Sequence, residues 1–88
     1  MSVRSTHILK CWRPYFQDVL TGSKPFEVRK NDRDFKVGDT MTLLETMPGG
    51  SPFTGREVDV RITYVLAGGV FGIEPDCCVL GIAPKESK

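Results

Sequence analysis

Gly22-Ser23-Lys24-Pro25-Phe26-Glu27-Val28-Arg29-Lys30-Asn31-Asp32 is the stretch from which the fold is read. It opens on a glycine, runs through a strand and closes in a polar turn. Gly22, within Thr21-Gly22-Ser23, is the natural left-handed stop for a preceding helix. From Pro25 to Lys30 apolar and charged residues alternate, which is the period of a half-buried strand. The alternation predicts Phe26 and Val28 in the core and Glu27 and Arg29 on the other face, projecting into one cleft. Lys24, in the preceding turn, has a stem long enough to join them. Asn31-Asp32-Arg33-Asp34 is a turn cluster, with Asp32 and Asp34 read as turn formers rather than metal ligands.

Upstream, Thr6 to Cys11 alternates weakly and predicts a short strand with His7 and Lys10 on opposite faces. Arg13-Pro14 starts a helix, since proline suits the first turn. Tyr15, Phe16, Val19 and Leu20 then form one apolar helical face, which assigns Trp12, Tyr15 and Phe16 to packing ahead of base stacking. Downstream, Val37-Gly38-Asp39 turns into a strand over Thr40–Glu45, and Met47 to Pro52 is a loop. Arg56 to Leu66 is a long strand with Val58, Val60, Ile62 and Tyr64 on one face. Glycines 68, 69 and 72 mark another loop, Cys77 to Ile82 a last strand, and Ala83 to Lys88 a frayed tail. The expected fold is α+β, mainly β: about five strands with one early helix and room for a second short helical turn. So many strands in so short a chain favour a closed or partly closed barrel, which protects sheet edges. No β–α alternation and no glycine-rich phosphate loop is present, which excludes a parallel nucleotide-binding sheet.

With 88 residues the chain has room for one domain, spanning 1–88 with its core at about 6–83. No apolar run reaches the roughly 20 residues of a spanning helix, and the first residues lack a signal-peptide apolar core. Three cysteines cannot all pair, so Cys11, Cys77 and Cys78 are read as reduced core residues of a cytoplasmic protein. The net charge of +1 hides a polarity. Residues 1–36 carry eight bases against four acids, +4, whereas residues 37–84 carry two bases against six acids, −4. A local positive field of this kind can attract phosphate despite a neutral total.

The pattern Gly22, Lys24, Glu27, Arg29 (G-x-K-x-x-E-x-R) resembles the signature of the ASCH domains, within the PUA-like superfamily. Phe35-Lys36-Val37-Gly38-Asp39 with Thr40-Met41-Thr42-Leu43 resembles a further feature of those barrels. The flanks (His7-Ile8-Leu9-Lys10, Tyr15-Phe16, Thr54-Gly55-Arg56, Val79-Leu80-Gly81-Ile82) are similar to a subfamily of small ASCH-like proteins of bacteria and phages, carried as a domain of unknown function. The likeness runs from about His7 to Ile82. It implies a PUA-like β-barrel whose cleft, lined by the signature, binds RNA or a nucleotide. Some ASCH proteins hydrolyse an acylated cytidine amide, using the signature lysine, a threonine three residues later and a glutamate in a helical insertion. Here Glu27 holds the threonine position, and the Ala67–Asp76 loop is short for such an insertion.

The leading expectation is therefore an RNA- or nucleotide-binding module with Lys24, Glu27 and Arg29 in its cleft. Lys24 and Arg29 suit phosphate recognition, with Glu27 orienting both. Lys30, Arg33 and Arg56, the last two placed in turns, extend the electrostatic reach. The alternatives are a small hydrolase or nuclease on RNA or a modified nucleoside, with Lys24 and Glu27 catalytic, and a protein-interaction module. An open positive cleft at Lys24 favours the ligand readings; a collapsed ion pair favours the third. No cofactor, metal or membrane partner is expected, a protein partner stays open, and a monomer is the default state. His7 is assigned a structural role.

Overall fold

A computed structural model describes residues 5–85. The elements are β1 (Thr6–Trp12), α1 (Arg13–Thr21), β2 (Phe26–Lys30), β3 (Thr40–Thr46), β4 (Phe53–Ala67) and β5 (Cys77–Pro84). The strands form one sheet in the order β1-β3-β4-β5-β2. β1 and β3 run parallel; the other neighbours are antiparallel. The sheet curls into a half-barrel, mainly β, and α1 is the one helix among the described residues. The barrel stays open between β1 and β2, which are its two edges.

Local chemistry explains most of the elements. β1 alternates as read, with His7, Leu9 and Cys11 buried and Ile8, Lys10 and Trp12 exposed. Pro14 sits in the first turn of α1, where a missing N–H costs no hydrogen bond. Gly22 ends the helix at φ 88°, its N–H donating to the Val19 carbonyl at 3.1 Å. Phe16 and Val19 of α1 close the core against Leu9, Met41, Leu43, Val60, Ile62, Cys78, Leu80 and Ile82. Each fully buried aliphatic or aromatic side chain contributes roughly 1.5–3 kcal/mol. Of the five strands, β2 alone adds no apolar residue to this core; its buried residue is Glu27.

That inverts the reading of β2. Phe26 and Val28, expected inside, are 42% and 56% exposed, while Glu27 and Arg29 point inward. The register with β5 sets the face: Glu27 lies opposite Leu80 and Arg29 opposite Cys78, both partners fully buried. Residues directly opposite across a ladder share a face. A one-residue slip would restore the apolar pair to the interior but turn every side chain of β2 over.

Five further expectations are corrected. Tyr64 is exposed, because the β4–β5 register shifts between Ile62 and Tyr64 and turns the strand by one residue. Val65 packs on the core in its place. Gly81 permits this shift, since a Cβ there would lie 2.9 Å from the Thr63 hydroxyl. Trp12, Tyr15 and Leu20 are half exposed; of the aromatics assigned to packing, Phe16 alone is buried. Arg56 belongs to the long strand β4 and not to a turn. Cys77 is half-buried, unlike Cys11 and Cys78, and all three thiols are free. Finally, β5 continues through Ala83 and Pro84, which were expected in the tail; positions 86–88 lie outside the described residues.

The turn at Val37-Gly38-Asp39 ties the far end of the sheet together. Gly38, at φ 97°, donates its N–H to the Ile62 carbonyl, and Asp39 accepts from three donors. These are His7 Nε2 at 2.8 Å and the backbone N–H groups of Ser5 and Lys36, each at 3.1 Å. The His7 ring also packs edge-on against Phe35, fixing its direction. Burial works to raise the Asp39 pKa, but the bonds from His7, Ser5 and Lys36 hold it below the usual aspartate value. A carboxyl depressed in the fold stabilises it above the unfolded pKa, and this contribution is lost as pH falls through the folded one. Asp39→Ala should cost about 1–3 kcal/mol in urea denaturation at pH 7 and flatten the acid limb of the stability curve. Unchanged stability at pH 7 would contradict this role.

Candidate nucleic-acid interface

The seam between the two edge strands is where the signature residues lie. After α1, the Lys24 N–H donates to the Asp18 carbonyl, which turns the chain back toward the sheet and starts β2. Lys24 Nζ donates to Glu27 Oε1 at 2.6 Å and to the Phe26 carbonyl at 2.9 Å. Arg29 Nη2 donates to Glu27 Oε2 at 3.1 Å and to the Lys10 carbonyl of β1 at 2.6 Å. Arg33 Nη1 reaches the Ile8 carbonyl at 3.4 Å. In a parallel pair alternate residues present their backbone groups to the same side. Ile8 and Lys10 are such alternates, so two arginines cap successive edge carbonyls that no neighbouring strand covers. The open seam is thus bridged by side chains where a closed barrel would use a backbone ladder.

Glu27 is the pivot of this bridge. Its side chain is 6% exposed, and each oxygen faces a cation, Lys24 on one side and Arg29 on the other. A carboxylate taken this far from water needs such partners, because an unpaired buried charge is costly. Cys11, inward from β1, lies beside it. Burial and then the Glu27 charge push the Cys11 thiol up to about 12, so no thiolate nucleophile forms there near neutral pH. Arg29 Nε is buried without a hydrogen-bond partner among the described residues. The Lys24–Glu27 pair is closed and not an open cleft. It leaves the three charges with one net positive unit.

Of the six binding residues expected from sequence, the structure brings Lys24, Glu27 and Arg29 together and sets Arg33 along the same seam. Lys30 faces outward and pairs with Asp76 at 2.6 Å; the Asp76 carboxylate raises the lysine pKa and is itself lowered. Arg56 lies elsewhere, against Glu45. Sequence reasoning missed the exposed pair Trp12 and Tyr15, whose rings stack at 6.5 Å and 26°. Lys24 Nζ stands 5.8 Å from the Tyr15 ring and 4.9 Å from that of Phe26. Lys10, Cys11, Trp12, Tyr15, Glu27, Val28 and Arg29 line one shallow depression here. Aromatic faces beside cations can stack a base and hold a phosphate. The available signal was Trp12 itself: in a strand that buries residues 7, 9 and 11, residue 12 points outward.

The sequence profile of the family described as "Domain of unknown function (DUF3850)" matches residues 6–82, and the chain belongs to that family. It is also similar to the "Uncharacterized 12.9 kDa protein in GpA 3'region" of Escherichia phage P2, with 48% identity over 59 residues. That match covers 67% of this chain and 52% of the phage protein, so the similarity spans about half the length of the relative.

The inverted strand yields a test of the geometry. Val28→Thr, on the outer face, should change stability by no more than about 0.5 kcal/mol. Glu27→Ala, which leaves Lys24 and Arg29 facing each other without their shared acceptor, should cost about 1–3 kcal/mol. Thermal or urea denaturation of both variants checks this, and the opposite ranking would overturn the assignment of faces.

Proposed function

We propose that this member of the family is a PUA-like, ASCH-related binding module for single-stranded RNA or a nucleotide, with its contact surface at the β1–β2 seam. The observation that carries the reading is the exposed Trp12–Tyr15 stack beside Lys10, Lys24 and Arg29. Stacking on such a pair accepts any base, and the cations meet the backbone charge. The curled five-stranded sheet with one helix agrees with the architecture that the Gly22, Lys24, Glu27, Arg29 resemblance implies. In this reading Glu27 orients Lys24 and Arg29 and touches no ligand.

Binding is favoured over hydrolysis by two features. Both Glu27 oxygens are engaged by cations, and the neighbouring Cys11 thiol is held protonated. A general base needs a free basic oxygen within reach of its proton. The closed Lys24–Glu27 contact supports a second reading, in which the signature only braces the barrel. The exposed Ile8, Phe26 and Val28 would then dock a protein.

Trp12 is the one tryptophan of the chain, so its fluorescence reports directly on the seam. Titration with single-stranded RNA at low salt should quench it, with an affinity that falls as salt rises. Tyr15→Ala should weaken binding roughly fivefold to a hundredfold, the range expected for one lost base stack. Unquenched fluorescence, or equal affinity in Tyr15→Ala and wild type, would favour the bracing role.

A further inference from the structure

On the opposite flank of α1 from Tyr15 lies an open groove of about 740 Å³, lined by Arg13, Pro14, Gln17, Glu45, Thr54 and Arg56. Arg13 and Gln17 are one helical turn apart and so share that flank, while Tyr15 faces away from it. We infer that this groove is a second binding site, one that takes a phosphate group between the guanidinium groups of Arg13 and Arg56.

Arg56 is fixed before any ligand arrives. Its Nε donates to Glu45 Oε1 at 3.0 Å and its Nη2 to Glu45 Oε2 at 3.2 Å, a forked pair with a carboxylate that is 4% exposed. Nη2 also donates to Gln17 Oε1 at 2.9 Å, and the guanidinium carbon lies 5.2 Å from the Phe16 ring centre. Thr54 holds the carboxylate from the other side, its hydroxyl donating to Glu45 Oε1 at 2.6 Å. Hydrogen bonds from Arg56 and Thr54 keep the Glu45 pKa below its usual value, so the clamp stays charged at neutral pH. Planar fixing of this kind removes the ordering cost that a free arginine would incur on binding.

The fixed plane leaves Nη1 of Arg56 with no hydrogen-bond partner among the described residues, and half of the side chain is exposed. Arg13 makes no ion pair among the described residues and donates a long hydrogen bond from Nη1 to the Met47 sulfur at 3.9 Å. The net charge of Arg13, Arg56 and Glu45 is +1, and the negative member is buried beneath the positive ones. Two guanidinium groups with unsatisfied donors suit the several acceptor oxygens of a phosphate better than a single carboxylate. The open groove, about 740 Å³, leaves room for a phosphate borne on a larger group. A free phosphomonoester and an RNA backbone phosphate offer this same chemistry.

Amide and arginine Nε–H shifts of the full chain, followed by NMR during titration with inorganic phosphate, test the site. Arg13, Gln17, Thr54 and Arg56 should move together while the Trp12 indole N–H stays in place. Arg13→Ala and Arg56→Lys should each weaken binding about tenfold, the loss of one charge-assisted contact. Arg13 is an exposed residue, so its variant keeps the test valid should Arg56→Lys unfold. Short oligoribonucleotides with and without a 5′-phosphate identify the source: dependence on that terminal phosphate supports the site as a monoester receptor, and equal binding supports it as a backbone receptor. Shifts spread evenly over the surface lysines and arginines, or unchanged affinity in Arg13→Ala, overturn the assignment. Because the readout excludes Trp12, failure here is separable from failure of the seam.

Discussion

A carboxylate buried where a core side chain would ordinarily sit is the constraint on which the rest of this domain depends. Glu27 occupies the inward position of β2, opposite Leu80, and is matched by Lys24 and Arg29. A purely apolar strand at this edge would have added core but left the β1 carbonyls uncovered. With Glu27 inside, Arg29 is oriented so that one nitrogen serves both the carboxylate and the Lys10 carbonyl. The half-barrel is thereby held across its open side without a sixth strand. Such a bridge leaves the outer faces of β1 and β2 free to carry Ile8, Trp12, Phe26 and Val28 into solvent.

Most of the fold was legible because turn chemistry and period-two alternation agree along the chain. Gly22, the Val37-Gly38-Asp39 turn and the alternation of β1, β3 and β5 all lie where local rules put them. The failures share a cause, which is that tertiary register overrode local pattern. Binary patterning assigns apolar residues to the interior, and β2 breaks this rule through its pairing with β5. The register shift near Tyr64 turned one apolar residue outward, and the β3–β4 pairing, in which Leu44 lies opposite Glu57, brings the next residues, Glu45 and Arg56, side by side. Neither the one-residue offset between β4 and β5 nor the choice of pairing partner is written in the alternation, since an extra residue in one strand leaves its neighbour's own period intact. The signature residues were found together because they lie within eight positions of sequence. Arg13, Gln17 and Arg56 were not grouped, because only the folded sheet brings the β3–β4 hairpin to the helix.

Charge and aromatic surface are distributed around one short helix, and the proposed function rests on that distribution. The overall charge of +1 conceals cations that are individually assigned by carboxylates. Lys30 is neutralised by Asp76 at the surface, whereas Glu27 and Glu45 are buried and orient the arginines beside them. A surface pair of the first kind is screened by water and directs nothing. A buried acid beneath a partly exposed guanidinium sets the direction of its remaining donors. The same device occurs on both flanks of α1, beside stacked aromatics on one and within a polar groove on the other.

A double-mutant cycle between Glu27 and Arg29 tests the central claim most directly. Stability would be measured by chemical denaturation at neutral pH for the wild type, Glu27→Gln, Arg29→Met and the double variant. If Glu27 organises the seam through Arg29, the two substitutions are strongly non-additive, with a coupling energy of about 1–3 kcal/mol. Additivity within about 0.3–0.5 kcal/mol would mean that the two side chains act independently and that something else holds β1 to β2.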